Sequence, residues 1–186
     1  MNYCNHCGQT VSLLIPPDDN RERFVCGDCG IVHYQNPNNI CGAILTQGDA
    51  VLLCKRAIEP RYGYWTLPAG FMENGETISE GAARESMEEA NAGSENLKLF
   101  GVFSMPYISQ VYLMFRGDLC GEIAPGVESL EVGLFKESEV PWDDLAFPVI
   151  KHSLKLYFEN PAVNSSVHHA RFERDKNRNV TIHFYD

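Results

Sequence analysis

Residues 67–92 read LPAGFMENGETISEGAARESMEEANA, a tight glycine-containing loop running into a short, strongly acidic helix. Thr77 followed by Glu80 is a capping box, so the helix is expected to begin at Ile78. At about 100° per residue, Glu85, Glu88 and Glu89 share an arc of roughly 100° on one face. Ala82, Ala83, Met87 and Ala90 lie on the other side and are expected to meet a core. Three carboxylates on adjacent turns repel one another, each pair by about 3 kcal/mol at an effective dielectric near 20. A solvated acidic face is the ordinary fate of such a charge run. A fold can also place positive charge among the acids, and a divalent cation that prefers oxygen, Mg²⁺ or Mn²⁺, suits that role.

A longer pattern favours the cation. Gly70, Glu76, Arg84-Glu85 and Glu88-Glu89 stand at the spacing of the Nudix box, and the stretch resembles that signature of the Nudix hydrolases over some two dozen positions. Two positions depart. Ser86 stands where the family has an aliphatic residue, and Asn91 where it has glycine; Asn tolerates the left-handed conformation that ends helices.

Upstream, Cys4-Asn-His-Cys7-Gly8 and Cys26-Gly-Asp-Cys29-Gly30 form two CxxC-Gly knuckles at zinc-ribbon spacing. Each presents two thiolates from a tight turn, and four thiolates complete a closed, structural Zn²⁺ site. The segment between them holds too few apolar residues for an independent core, so the metal is expected to fold residues 1–34. Two disulfides are the rival; His6 is read as an exposed residue or a support to the ligands. Nucleic-acid binding by this unit is disfavoured, since residues 1–34 carry only Arg21 and Arg23 as cations.

The chain of 186 residues suits one main domain with a small appendage. Its 44% hydrophobic content supports a core, and no run approaches the roughly 18 apolar residues of a membrane span. A net charge of -10 opposes broad binding to phosphate backbones. The cysteine motif begins too near Met1 for a signal peptide, and the 7 cysteines, an odd number, fit a reducing cytoplasm. Cys41, Cys54 and Cys120 fall in expected strands as inert thiols.

Alternation predicts strands at 40–47, 50–56, 97–104, 110–119 and 130–136, and a helix over 149–158. The tail from residue 160 reads as polar until a last strand, 180–185, which would pair with its own sheet or a neighbouring subunit's. His168 and His169 are read as surface residues. Strands interleaved with two helices give an α/β fold, and the resemblance implies an α/β/α sandwich of mixed sheet. The expected divisions are 1–34 for the ribbon, 35–160 for the main domain and 161–186 for the tail.

The resemblance implies a hydrolase of phosphoanhydrides, with Glu85 and Glu89 as Mg²⁺ or Mn²⁺ ligands and Glu88 a ligand or support. It maps the carbonyl before the box glycine to Ala69, makes Arg84 the residue that orients the acids, with Glu80 and Glu88 within its reach, and lets Glu76 brace the loop. The base is open between Glu85 and a downstream acid, here Glu131. A four-cysteine ribbon joined to this domain is similar to the NADH pyrophosphatase group, but the stretch from Phe103 to Gln110 lacks that group's Trp- and Pro-rich motif. Tyr34-Gln-Asn-Pro37, Leu52-Leu-Cys-Lys-Arg56, Trp65 to Gly70 and Gly126 to Glu131 with Leu134-Phe135 more closely resemble the plant-type zinc-ribbon Nudix hydrolases that cleave FAD and ADP-ribose. That implies a small nucleotide substrate yielding AMP, with Phe103, Tyr107 and Tyr112 as stacking candidates, Arg56 near the diphosphate, and a homodimer. NADH or NAD cleavage, removal of an NAD cap from RNA, and a non-catalytic ADP-ribose sensor are the alternatives.

Overall fold

The computed structural model describes residues 1–159 and 166–185. It divides into two compact units, 1–36 and 37–186. The smaller is a three-stranded antiparallel sheet of β1 (Val11–Leu14), β2 (Arg23–Cys26) and β3 (Val32–His33). Its two knuckles are built alike. Gly8 donates its N–H to the Cys4 carbonyl at 2.9 Å and Gly30 to that of Cys26 at 3.0 Å. Both glycines sit at positive φ, +76° and +73°, where a side chain would be strained.

The larger unit is organised by β4 (Asn38–Gln47) and β5 (Ala50–Arg56), whose residues are buried on both faces. Such strands read as continuous apolar runs because each face meets a different layer. Ile40, Ile44, Val51 and Leu53 enter one core; Cys41, Ala43, Leu45, Leu52 and Cys54 enter the other. Short strands β6 (Trp65–Thr66) and β7 (Ala69–Phe71) pair with β5 and β4. Helix α1 (Ile78–Ala90) covers the second face through Ala82 and Ala90. Strands β8 (Gly93–Met105), β9 (Gln110–Cys120) and β10 (Ser129–Phe135) follow, then α2 (Pro148–Glu159), which covers the first face through Val149, Ile150 and Leu154. Two further strands, β11 (His168–Arg174) and β12 (Val180–Tyr185), complete the sheet, whose order is β10-β5-β4-β9-β8-β11-β12, with β4 parallel to β9 and β8 parallel to β11. The result is the expected mixed-sheet sandwich.

The tail departs from expectation. Strand β11 (His168–Arg174) joins the sheet before β12 (Val180–Tyr185) pairs antiparallel with it. Ala170 and Phe172 are fully buried, and Phe172 meets Phe103 edge-on at 6.0 Å. His168 is half-buried against Phe100, at 4.8 Å between ring centres, while His169 is exposed. The expected boundary between main domain and tail, at residues 160 and 161, lies outside the described residues.

Candidate functional site

Helix α1 starts as its capping box requires. Thr77 Oγ1 accepts the Glu80 N–H at 3.3 Å, and Glu80 Oε2 accepts the Thr77 N–H at 2.7 Å. This engages Glu80 at the helix start, and its contacts there are with Thr77 and not Arg84. The helix ends at Asn91 with φ 50°, and the Asn91 N–H donates to the Met87 carbonyl at 2.9 Å. Ser86 is accommodated by donating its hydroxyl to the Ala82 carbonyl at 2.8 Å, which satisfies that buried donor.

Two of the three acids do not look into solvent, while Glu88 does. Glu85 and Glu89 are only 8% and 6% exposed, whereas Met87 is 49% exposed. The helix is therefore rotated from the orientation its apolar residues suggest. Its buried arc holds Ala82, Ser86 and Ala90 together with two of the three acids, and Met87 falls outside.

Arg84 supplies positive charge from within the chain. Its Nε and Nη2 donate to the two oxygens of Glu76, each at 3.0 Å, a bidentate grip. Nη2 also donates to the Phe71 carbonyl at 3.0 Å; Nη1 donates to Glu85 at 2.7 Å and Glu88 at 3.0 Å. One guanidinium so ties the loop before the helix to the helix's acidic face. Glu76 also accepts the Glu73 N–H at 2.7 Å. Gly70 lies against the Glu85 carboxylate with no room for a Cβ.

Glu89 is held differently. Burial, reinforced by the Glu85 charge, pushes its carboxyl up to about 8, against the opposing pull of Arg56 and the Ala69 N–H. Its Oε2 is buried without a hydrogen-bond partner. Burial also raises Glu85, opposed by Arg84. An orphaned carboxylate oxygen beside a second buried carboxylate fits a hard divalent cation, which would replace the missing partner.

These groups form the floor of a cavity of about 1250 Å³, whose lining includes Ala69, Gly70, Arg84, Glu85, Glu88 and Glu89 from the box stretch. Arg56, Tyr107 and Tyr112 also line it. Arg56 donates Nε to the Pro60 carbonyl at 2.9 Å, and its guanidinium lies over the Phe147 ring at 5.2 Å. Burial pushes the Tyr112 hydroxyl up to about 12, although Arg56 opposes the shift.

Two expected site residues are not brought here. Phe103 is fully buried in the α2-side core, because it points to the face of β8 that meets Phe172. Glu131 is exposed on β10 and pairs with Lys55 at 3.5 Å. The acid downstream of the box that does line the cavity is Glu128, whose charge bears on both Glu85 and Glu89. The loop carrying it is pinned to the end of α1: Ala124 and Gly126 donate N–H groups to the Ala90 and Glu89 carbonyls, both at 2.9 Å, and Asn91 Nδ2 donates to the Ala124 carbonyl at 3.0 Å. Gly126 presses on the Glu88 carbonyl so closely that no side chain fits. The sequence signal for Glu128 was the Gly126-Val-Glu128 run, a glycine that lets a loop approach a helix end.

In the smaller unit Cys4, Cys7, Cys26 and Cys29 place their sulfurs within 4.8 Å of one another. The Cys4–Cys29 and Cys7–Cys26 separations, 3.7 and 3.5 Å, suit a tetrahedron whose Zn–S bonds of ~2.3 Å give edges of about 3.8 Å. Backbone N–H groups aimed at sulfur, that of Cys29 foremost, lower the Cys26 thiol to about 7, and the Cys7 N–H is the largest influence holding the Cys4 thiol below its ordinary value. His6 is exposed and gives only its backbone N–H, to Cys4 at 3.4 Å. Among the described residues this is the one group of three or more such ligands drawn so close; the α1 carboxylates stand further apart, with Glu88 turned to Arg84.

Comparison with known proteins places both units. The family model described as Nudix N-terminal, a zinc ribbon, matches residues 2–35, and that of the NUDIX domain matches 37–158. The chain is 27% identical over 159 residues to an NAD-capped RNA hydrolase NudC from Pseudomonas aeruginosa, covering 83% of this chain and 55% of the relative. It spans about half the length of the curated relatives it matches. A crystal structure of a NUDIX hydrolase from Nitrosomonas europaea is 49% identical, with a TM-score of 0.86 over 92% of this chain and 99% of that one. An ADP-ribose pyrophosphatase from Streptococcus suis, at 22% identity and a TM-score of 0.57 over 74% of this chain and 100% of that one, shares the fold. Among the described residues no helix is long and apolar enough to cross a membrane.

Proposed function

Because the chain belongs to the Nudix hydrolase family, we propose that it hydrolyses the pyrophosphate bond of an ADP-containing dinucleotide or nucleotide sugar, FAD and ADP-ribose foremost. The products are AMP and a second phosphate ester. The observation that carries this reading is the Glu89 carboxylate, buried beside Glu85 with one oxygen unpartnered, on the floor of a cavity large enough for a dinucleotide.

Glu85, Glu89 and the Ala69 carbonyl would hold Mg²⁺ or Mn²⁺, with Glu88 a further ligand or a support. The ion supplies charge neutralisation at the diphosphate and a more acidic water. The chain's own residues do the rest. Arg84 keeps Glu85 in place against Gly70, so the carboxylate does not have to be reordered during turnover. Glu128 takes the part weighed for Glu131, competing with Glu85 to accept the proton of the attacking water. Arg56 meets the diphosphate, and Tyr107 and Tyr112 offer rings to a base.

The test is AMP release from FAD, ADP-ribose, NADH and NAD⁺ with Mg²⁺ or Mn²⁺ present. Cleavage of FAD or ADP-ribose ahead of the others is expected. No AMP from any of the four would sink the reading, and ADP-ribose bound but left whole would point to a sensor. NADH cleaved foremost would shift it to the NADH pyrophosphatase type.

A second reading, removal of an NAD cap from RNA, is favoured by the zinc-ribbon match and by the name of the Pseudomonas aeruginosa relative. The net charge of -10 weighs against it. Failure of the protein to retain 5′-NAD-RNA at low salt would remove it. The proposal includes a cytoplasmic homodimer joined through the edge strand β12, which sedimentation at micromolar concentration would check.

A further inference from the structure

We propose that Arg174, in the tail strand β11, is a positioning residue for the base-binding wall of the cleft, acting through Tyr107. The inference rests on the cavity being a nucleotide site, as proposed above. Strand β11 runs parallel to β8 with Ala170 opposite Phe103 and Arg171 opposite Ser104. Continuing that register three residues brings Arg174 level with Tyr107, in the turn Pro106–Ile108 that follows β8. Side chains alternate along a strand, so Arg174 shares the face of Ala170 and Phe172, both fully buried. It therefore leans over the turn, and its guanidinium lies over the Tyr107 ring at 6.0 Å from the centroid.

The strand is well held at both sides of this contact. Phe172 packs edge-on against Phe103 at 6.0 Å, and Arg174 itself pairs with Val180 of β12. Just beyond, Asp175 closes the hairpin: its carboxylate accepts the Asn179 N–H at 2.8 Å and Asn179 Nδ2 at 2.9 Å. Tyr107 lines the cavity whereas Arg174 does not. A cation on a ring holds that ring through its quadrupole, and the ring in turn offers its surface to a base. Neither Arg174 nor any of β11 lies in the part of the chain matched by the NUDIX family model, which ends at residue 158.

The test uses the full chain with two readouts: KM and kcat for AMP release, and calorimetric binding of AMP, which needs no turnover. R174A is expected to weaken AMP binding and raise KM by two- to fivefold, the effect of an exposed cation–ring contact, with kcat moving less. R174K restores part of the loss, because the charge returns. Y107A weakens AMP binding by fivefold or more. Adding R174A to Y107A has no further effect if Arg174 works through the ring. Unchanged AMP binding in R174A, full additivity in the double variant, or wild-type protein that binds no AMP would each overturn the inference. AMP binding that depends on Arg174 in a protein that cleaves none of the four substrates would keep this inference while removing the proposed hydrolase.

Discussion

Glu85 and Glu89 differ in how their charge is held. Glu85 has Arg84 at 2.7 Å, and a neutral amide in its place can still accept that hydrogen bond. E85Q is expected to lose turnover by about 10²–10⁴-fold, the usual range for a group that handles protons or holds the reacting centre. Its melting temperature should equal or exceed that of the wild type, because burial of a charge is relieved; steady-state kinetics beside calorimetry check both. Glu89 has no such partner. Its folded pKa of about 8 lies above the ordinary 4.5, so between those values the folded state holds a proton the unfolded state has lost. Stability of the metal-free protein should thus fall as pH rises from about 4.5 to about 8. Added Mg²⁺ or Mn²⁺ should restore it at the alkaline end, and E89Q should flatten the profile; melting scans across pH show this. At this scale the carboxylates were legible from spacing, and Arg84 from its place beside them. The orientation of Met87 was not, because an apolar arc locates a core only when the helix's polar face meets water, and here it meets the cleft.

Among the elements, α1 was legible at both ends, since Thr77, Glu80 and Asn91 act within one turn of themselves. Strands β5 and β12 fell at their expected limits for the same local reason. Strand β11 is not legible in the sequence. Its sequence, HHARFER, offers only Ala170 and Phe172 as inward residues, and its parallel partner β8 lies far back along the chain. The burial of Phe103 is hidden with it, since the residue that buries its ring is Phe172. The loop that delivers Glu128 is legible only as part of the Gly126–Glu131 resemblance; a glycine there permits a close approach without saying to what. Asn91 binds that loop, and this separates two variants. N91G keeps the left-handed helix end and loses the Ala124 bond, costing about 1 kcal/mol. N91A adds the conformational penalty and should cost about 2–3 kcal/mol in all. Hydrogen exchange should quicken at 122–128 in both, with kcat reduced if Glu128 serves as base.

For the chain as a whole, the two units have different sources of stability. The larger has two apolar cores; among the described residues the smaller buries only Pro16, its first-of-pair cysteines, Cys4 and Cys26, and His33. A metal contributing on the order of 10 kcal/mol is then expected to be what keeps residues 1–36 folded. Treatment with a strong zinc chelator should make that unit sensitive to limited proteolysis while a fragment beginning near Pro37 survives. Chelator that leaves the first unit resistant would show that sulfur coordination does not sustain it. The hairpin built after α2 bears on how the protein can be shortened. A clone stopped where the NUDIX match ends would keep both helices and the acids of the cleft, yet leave β8 as a bare border with Phe103 unroofed. Raw strand borders recruit further strands, so such a fragment is expected to precipitate or form fibrils on concentration, whatever catalytic groups it retains.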